Sequence, residues 1–374
     1  FLNWVENAKF QGDLYAMPEG TIFFAHEHQL RLHGSFEEAQ LFESLILNTI
    51  NPQTNVATIA NDIAQIAAGK ILLEGGSRRA TSPQSAIFNS RAARIGGFTA
   101  SSNVAYGILH NEKVGGTHGH SYVMLHPSEY SAFKAQAQTL GNNVCFLLDT
   151  YNVQNALERA LQIITEENLT HAAFRIDSGD LLSQALSIHT QLQSRGFSRD
   201  SYTLFASDDL NAEKIASLEE KNADIDKYLI GTFVVNPPKP VEGVFKLAAY
   251  QDKEGEWHYK GKLSADLGKA TLPGIKQIYR VTGPDGLYQR DIIAFQGEDL
   301  SSYLNRSDSI RELLIPIIKD GKQVYDFPTI NQITQYREEQ FQRFKDVNSY
   351  EVIISQKVRA AQLKIMQEHG FSQV

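Results

Sequence analysis

Cysteine is almost absent: Cys145 is the single one in 374 residues. No disulfide can form within the chain, and no cysteine cluster can hold a metal. That usage suits a reducing compartment, so a cytoplasmic location is expected. Long apolar runs are missing too; none approaches the roughly 18 residues a membrane helix needs. The start, Phe1-Leu2-Asn3-Trp4-Val5-Glu6, has no basic n-region and no apolar h-region, so no signal peptide is expected. Basic blocks are also missing. Lys plus Arg number 35 against 43 Asp plus Glu, a formal charge of −8. Such a chain is a poor match for nucleic acid, although a local basic pocket for a small anion stays open. Apolar residues, by contrast, make up 42% and charged residues 21%. That is enough to bury a large core. The length allows two domains, or one large barrel with additions.

The first 34 residues read as strands, with Thr21-Ile22-Phe23-Phe24-Ala25 and Leu30-Arg31-Leu32 bounded by Pro18, Gly20 and Gly34. Ser35 followed by Glu38 signals a capping box. Phe36, Ala39, Phe42, Leu45 and Ile46 then recur at helical spacing. A second helix carries Val56, Ile59, Ile63, Ile66 and Ala67 and stops at Gly69. A strand–helix rhythm follows. Strands are expected at Ile71-Leu72-Leu73, Val144-Cys145-Phe146-Leu147-Leu148, Ala172-Ala173-Phe174-Arg175-Ile176, Tyr202-Thr203-Leu204-Phe205-Ala206 and Tyr228-Leu229-Ile230. The amphipathic stretches Asn152–Glu167, Asp180–Arg195 and Asn211–Lys221 fill the gaps between the later strands. Between 144 and 230 the strand starts lie about 25 to 30 residues apart, which suits a repeated βα unit. The strands are continuously apolar, as parallel strands covered on both faces are.

Polar residues close these strands: Glu74, Asp149, Asp177, Ser207-Asp208 and Gly231-Thr232. In a parallel barrel all such ends open on one face, where barrel enzymes place their chemistry. After residue 235 the rhythm breaks at Asn236-Pro237-Pro238-Lys239-Pro240. Residues 241–295 alternate like strands at Val244–Leu247, Trp257–Lys260 and Gln277–Val281. Residues 305–374 return to helix, with one possible strand at Val352-Ile353-Ile354.

Three segments can carry chemistry. In Gly115-Gly116-Thr117-His118-Gly119-His120-Ser121 the glycines allow close approach to a ligand. His118 and His120 are two apart, so on extended chain they point the same way. They read as a metal pair, as two turn histidines, or as a nucleophilic histidine whose other ring nitrogen is oriented by Asp149. In Arg175-Ile176-Asp177-Ser178-Gly179-Asp180, a carboxylate can accept from the vicinal hydroxyls of a ribose. Ser178-Gly179 opens a helix whose free N–H groups favour a phosphate. The alternative is an Arg–Asp ion pair followed by an ordinary Asp cap. In Gly75-Gly76-Ser77-Arg78-Arg79, Gly plus Arg after a strand suits a hold on carboxylate or phosphate. The alternative is a basic turn facing solvent.

In this order, these pieces resemble the nicotinate phosphoribosyltransferase family, the type II phosphoribosyltransferases. The resemblance runs from Gln11-Gly12-Asp13-Leu14-Tyr15-Ala16-Met17-Pro18-Glu19-Gly20 to the C-terminal helices. It is carried by Gly76-Ser77-Arg78-Arg79-Ala80, Gly97-Phe98 with Ser101-Ser102-Asn103, and Gly116-Thr117-His118-Gly119-His120-Ser121. It continues through Leu148-Asp149-Thr150-Tyr151, Arg175 to Leu181, Gly243-Val244-Phe245-Lys246-Leu247, and Lys269-Ala270-Thr271-Leu272-Pro273-Gly274-Ile275-Lys276.

The resemblance implies an α/β fold: an irregular parallel βα barrel with a second, smaller β-rich sandwich domain and C-terminal helices. The sandwich domain would comprise 1–34 and 236–295, the barrel 35–235, and a mainly helical region 296–374 packing on the barrel. It further implies that nicotinate and phosphoribosyl pyrophosphate are joined into nicotinate mononucleotide and pyrophosphate, a step of NAD salvage driven by ATP through a phosphohistidine. By the match, His120 is the phosphorylated residue and Asp149 holds its imidazole. Asp177 and Arg175 meet the ribose and the ring. Arg78 holds nicotinate with Ser102 and Asn103 nearby. Thr117, Ser178, Gly179, Ser207, Asp208, Gly231 and Thr232 complete the substrate-binding set, most of them around phosphates. Mg²⁺ is expected on the pyrophosphate, with ATP as co-substrate and a homodimer as the assembly; no metal-ligating residue is named. Ser102 is neutral, and a carboxylate there would repel nicotinate. The acid is therefore favoured over the amide, against a nicotinamide phosphoribosyltransferase.

The chain departs from the family pattern at Asp208 and Leu229, where the family usually has Gly. A carboxylate beside phosphate is unfavourable unless Mg²⁺ or a Lys intervenes. Phe1 is not Met, and a family segment that completes the sandwich and reaches the partner's site has no counterpart here. The chain as given is expected to be incomplete as an enzyme. Two rivals stand beside this reading: a metal-dependent barrel hydrolase using His118 and His120, and a non-catalytic nucleotide sensor.

Overall fold

The structure is a computed structural model describing residues 5–6, 9–236, 240, 242–264 and 270–371. Pro237, Pro238, Lys239 and Lys269 from the segments above lie outside the described residues. The chain divides into two compact units, Phe1–Ile50 with Glu242–Val374, and Asn51–Val241.

The β-rich unit begins with β1 (Asp13–Ala16) and β2 (Leu30–His33), paired antiparallel. The stretch 21–25 carries no strand. Its apolar residues precede His26, whose φ of 70° turns the chain. The capping box forms as read: Ser35 Oγ accepts from Glu38 N at 3.2 Å and Glu38 Oε2 from Ser35 N at 3.0 Å. The two helices read from the sequence are one, Phe36–Ile66, which runs through Pro52. The division between units falls within this helix, at Ile50/Asn51.

The second unit is the α/β part. Its strands are β3 (Ile71–Glu74), β4 (Ala100–Ser101), β5 (Cys145–Leu147), β6 (Ala172–Ile176), β7 (Tyr202–Ala206) and β8 (Lys227–Ile230). They form one parallel sheet in the order β4-β3-β8-β7-β6-β5. Side chains alternate across it. Leu72, Phe146, Phe174, Leu204 and Tyr228 pack outward into a large core with Ala156, Leu157, Ile188 and Ile215 of the covering helices. Leu73, Ala100, Cys145, Ala173, Phe205 and Leu229, one from each strand, form a separate inner cluster. A sheet with helices on one face and its own residues meeting on the other is curled like a barrel. Side-chain caps start the helices where the sequence places them. Asn152 caps Val153–Glu166, Asp180 caps Leu181–Ser194 and Asn211 caps Ala212–Glu220, each accepting from a backbone N–H three residues on.

The rest of the β-rich unit contains β9 (Ala249–Gln251), β10 (Trp257–Tyr259), β11 (Lys276–Thr282), β12 (Tyr288–Phe295), β13 (Ser309–Glu312), β14 (Ile315–Lys319), β15 (Lys322–Gln323) and β16 (Glu351–Ile354). Two four-stranded sheets result, β15-β14-β1-β2 and β13-β11-β12-β16, beside the β9–β10 hairpin. Val244–Leu247 is not a strand. Between 305 and 325 the chain forms β13 to β15 where the sequence reading expects helix. The run Ile315-Pro316-Ile317-Ile318 is too short and too β-branched to choose helix once β1 offers an edge. Helices Ile330–Phe341 and Gln356–Glu368, and strand β16, fall where the sequence puts them.

Candidate active site

Parallel pairing puts the C-terminal ends of β3 to β8 along one edge of the α/β unit. Asp149 lies just beyond β5, Asp177 beyond β6, Ser207-Asp208 beyond β7 and Gly231-Thr232 beyond β8. A short 3-10 turn, Ser77–Arg79, follows β3, and Ser102-Asn103 follows β4. The site is thus built on rigid strands and refined by the turns after them.

His120 opens the helix His120–Leu125. Its Nε2 lies 3.3 Å from Asp149 Oδ1, with 39% of the His120 side chain and 4% of the Asp149 side chain exposed. Ser178 Oγ donates to the other oxygen, Asp149 Oδ2, at 2.6 Å. Asp149 is thereby held from two sides. With Nε2–H donated to it, Nδ1 is the ring nitrogen that keeps a free lone pair. Gly179, next to Ser178, has φ +77°, and a Cβ there would sit 2.8 Å from Gln184 Nε2. The positive φ favours glycine, and a Cβ would also displace the end of the Gln184 side chain.

Arg175 is buried and fully engaged. Nε donates to Ser207 Oγ at 2.8 Å, Nη1 to Thr117 Oγ1 at 2.8 Å and to the His118 carbonyl at 3.3 Å. Nη2 pairs with Asp177 Oδ2 at 2.9 Å. The ion pair and the Asp180 cap of the plainer reading are therefore both present. Arg175 also ties the histidine loop to β7.

The two histidines do not point the same way, because a helix begins at His120. His118 Nδ1 meets Gln136 Nε2 at 2.7 Å, and the ring lies 5.0 Å from that of Tyr122. Burial pushes its pKa down to about 4, with Arg175 and His120 adding to the effect. Among the described residues no three His, Cys, Asp or Glu side chains converge as a metal group would need. The shared orientation that the metal-pair reading requires is thus missing.

Asp208 has φ +96°, a conformation that favours glycine, which accounts for the family's usual residue there. Lys214 Nζ, in the first turn of the next helix, lies 3.7 Å from Asp208 Oδ2. Leu229 faces inward and packs on Gly75, where an added Cβ would sit 2.8 Å from Leu229 Cδ1. A Cβ on Gly231 would come 3.3 Å from the Gly75 carbonyl oxygen, and Thr232 is exposed beside it. Asn103 Oδ1 caps Val104–His110 through Tyr106 N at 3.1 Å. Ser102 and Arg78 are exposed, and Arg78 makes no ion pair or hydrogen bond among the described residues. Two participants escaped the sequence reading, Gln136 and Lys214, and Glu74 was marked there only as a polar strand end. Only Lys214 had a local signal, a cation in the first turn after a phosphate-type loop.

Comparison with known proteins bears on this arrangement. A family model described as nicotinate phosphoribosyltransferase C-terminal domain matches residues 275–361. The nicotinate phosphoribosyltransferase of Bacillus subtilis is 31% identical to the chain, over 91% of the chain and 75% of that relative. The crystal structure of human nicotinic acid phosphoribosyltransferase superposes with a TM-score of 0.77 at 22% identity, covering 98% of this chain and 84% of that one; at that identity it speaks for the fold. A nicotinate-nucleotide pyrophosphorylase from Pyrococcus furiosus gives 0.72 at 25% identity, over 90% and 82% of the two chains. By its similarity to the Bacillus subtilis protein over most of both lengths, the chain belongs to the nicotinate phosphoribosyltransferase family.

Proposed function

We propose that the chain joins nicotinate to phosphoribosyl pyrophosphate, forming nicotinate mononucleotide and pyrophosphate in NAD salvage, with ATP hydrolysis coupled through phosphorylated His120. The observation that carries the coupling is the half-exposed His120 ring held by Asp149, itself held by Ser178. Nδ1 attacks the γ-phosphorus of ATP, the bond to the bridging oxygen breaks, and ADP leaves. The negative charge of Asp149 stabilises the ring as it becomes cationic. Water later hydrolyses the phosphohistidine to phosphate.

In the second half, the bond from the ribose C1 to pyrophosphate breaks and the nicotinate ring nitrogen forms the new one. The ribose passes through an oxocarbenium-like state, which a nearby carboxylate stabilises. Asp177 is that carboxylate, its charge partly shared with Arg175. Arg78, exposed and unpaired, is suited to the nicotinate carboxylate, with neutral Ser102 and Asn103 beside it. Ser178, Gly179, Ser207, Asp208, Gly231 and Thr232 line the turns suited to phosphate. Mg²⁺, held mostly through substrate oxygens, would supply the charge that offsets the pyrophosphate.

A homodimer is the assembly we favour. The short helices beginning beside Asn103 and at His120 leave Ile108, Leu109, Met124 and Leu125 exposed, an apolar surface for a second copy. The buried single thiol of Cys145 suits the cytoplasm.

Incubation with ATP, nicotinate and phosphoribosyl pyrophosphate tests the reading. Wild type is expected to form an acid-labile, histidine-linked phosphate and nicotinate mononucleotide, and His120→Ala no such phosphate. Equal labelling of the variant removes His120 from its role. Comparable turnover of nicotinamide in the same assay would favour the amide-using reading instead.

A further inference from the structure

Glu74 ends β3 with only 1% of its surface exposed. No Lys, Arg or His lies within ion-pair distance of it among the described residues. A buried carboxylate without a counter-ion is costly unless donors surround it. Here they do. Oε2 accepts from Ser101 Oγ at 2.6 Å and from Ser90 Oγ at 2.8 Å, and Oε1 accepts from the Gly76 N–H. The Glu74 carbonyl accepts from Ser102 N at 2.8 Å. Ser101 Oγ in turn accepts from Asn103 N at 2.9 Å.

These bonds add side-chain links at the point where the backbone pairing of β3 with β4 ends, Glu74 opposite Ser101. Gly76 precedes the turn Ser77–Arg79, and a Cβ there would sit 2.4 Å from Val235 Cγ1, so the turn has little room to shift. Ser101 precedes Ser102 and Asn103. Arg78 has no side-chain partner among the described residues, so its position is set by its backbone alone. Whatever fixes the 76–79 turn against the 101–103 segment therefore fixes Arg78 against Ser102 and Asn103.

We infer that Glu74 is the positioning residue of the pyridine end of the site, spacing the Arg78 turn from Ser102-Asn103 through Gly76 and Ser101. This rests on the proposed reading that those residues hold nicotinate. Glu74 does not touch the substrate. Its loss would act on nicotinate binding while sparing the His120 end.

Glu74→Ala and the isosteric Glu74→Gln test it, each read two ways. In kinetics, the alanine variant is expected to raise the nicotinate KM at least tenfold. Its KM for phosphoribosyl pyrophosphate and its histidine labelling by ATP should stay within about twofold of wild type. The glutamine variant, which still accepts from Gly76 N–H and can donate to the serines, should recover part of the loss. In amide hydrogen exchange without substrate, the segments 75–80 and 101–104 should lose protection together in both variants while the other strand ends keep theirs. The inference falls if both KM values rise together in step with a lower thermal midpoint, if neither changes, or if the two segments exchange as in wild type. An inactive wild type would sink the proposed reaction. The exchange measurement would still decide whether Glu74 positions the two segments.

Discussion

Arg280 and Asp291 face each other in the middle of the β11–β12 pair, both side chains fully buried, whereas Arg175 and Asp177 sit at the end of β6 with 10% and 22% of their side chains exposed. The residue types are the same and the salt-bridge distances similar, 2.6 and 2.9 Å. The surroundings differ. Asp291 also accepts from Tyr350 OH at 2.9 Å, and the Arg280 guanidinium lies about 5 Å from the Tyr288 and Phe344 ring centres. Arg280 also donates to Gln340 Oε1 at 3.2 Å and to the Ile22 carbonyl at 2.8 Å, so the pair is bonded on several sides inside the β-rich unit. An ion pair closed by aromatic rings braces a sheet; the one at the strand end leaves a partly exposed carboxylate with no further hydrogen bond among the described residues.

That contrast has a measurable size. Asp291→Ala leaves a buried guanidinium without its counter-ion and should cost about 3–5 kcal/mol in urea unfolding. Burial, reinforced by Asp291, pushes the pKa of neighbouring Glu27 up to about 9. Asp177→Ala should cost less than about 1 kcal/mol, since Arg175 keeps Thr117, Ser207 and the His118 carbonyl, yet it should remove product formation. Equal stability losses in the two variants would erase the distinction.

A smaller effect separates the units by pH. The unfolded chain protonates His118 near pH 6.5, while the folded chain holds the ring neutral until about pH 4. The stability from the neutral ring is therefore complete above about pH 6.5 and is lost as pH falls through 4. Part of the ring meets solvent, so the loss is roughly 1–2 kcal/mol. His118→Gln should flatten the acid limb of the urea midpoint by that amount and leave the neutral values nearly unchanged. An unaltered acid limb would mean that His118 is not held neutral by the fold.

The α/β unit was the more legible of the two, for a physical reason. Its strands are buried on both faces, so each reads as an apolar run, and its helices begin at Asn152, Asp180 and Asn211, whose side chains announce the cap. The β-rich unit pairs residues far apart in sequence, such as Leu14 with Ile318. No local pattern marks those partners, and β13 to β15 were read as helix. The site divides the same way. The strand ends put His120 and Asp149 within reach as the spacing suggested. Two details depended on backbone geometry that residue spacing does not encode. One is that His118 turns away into its contact with Gln136. The other is that Glu74 links the 76–79 turn to Ser101.

The smallest expected effect is the one most particular to this chain. Asp208 places a carboxylate in a turn suited to phosphate, at a φ of +96°, and Lys214 lies 3.7 Å away. Both side chains are partly exposed, so the pair contributes less than about 1 kcal/mol to stability. Its consequence should appear in binding. On the proposed reading, Lys214 would offset the charge that Asp208 directs at the pyrophosphate. Lys214→Ala should then raise the KM for phosphoribosyl pyrophosphate about two- to fivefold, a change on the scale of a half-exposed charge pair. Asp208→Gly should lower it slightly and relieve the left-handed backbone. In the double variant the Lys214 substitution should matter less, because the charge it offsets is gone. Such non-additivity is what a double-mutant cycle reads directly. If the two substitutions simply add, Lys214 contacts the pyrophosphate on its own account, and the turn tolerates Asp208 for another reason, with Mg²⁺ bound at its carboxylate the first to test.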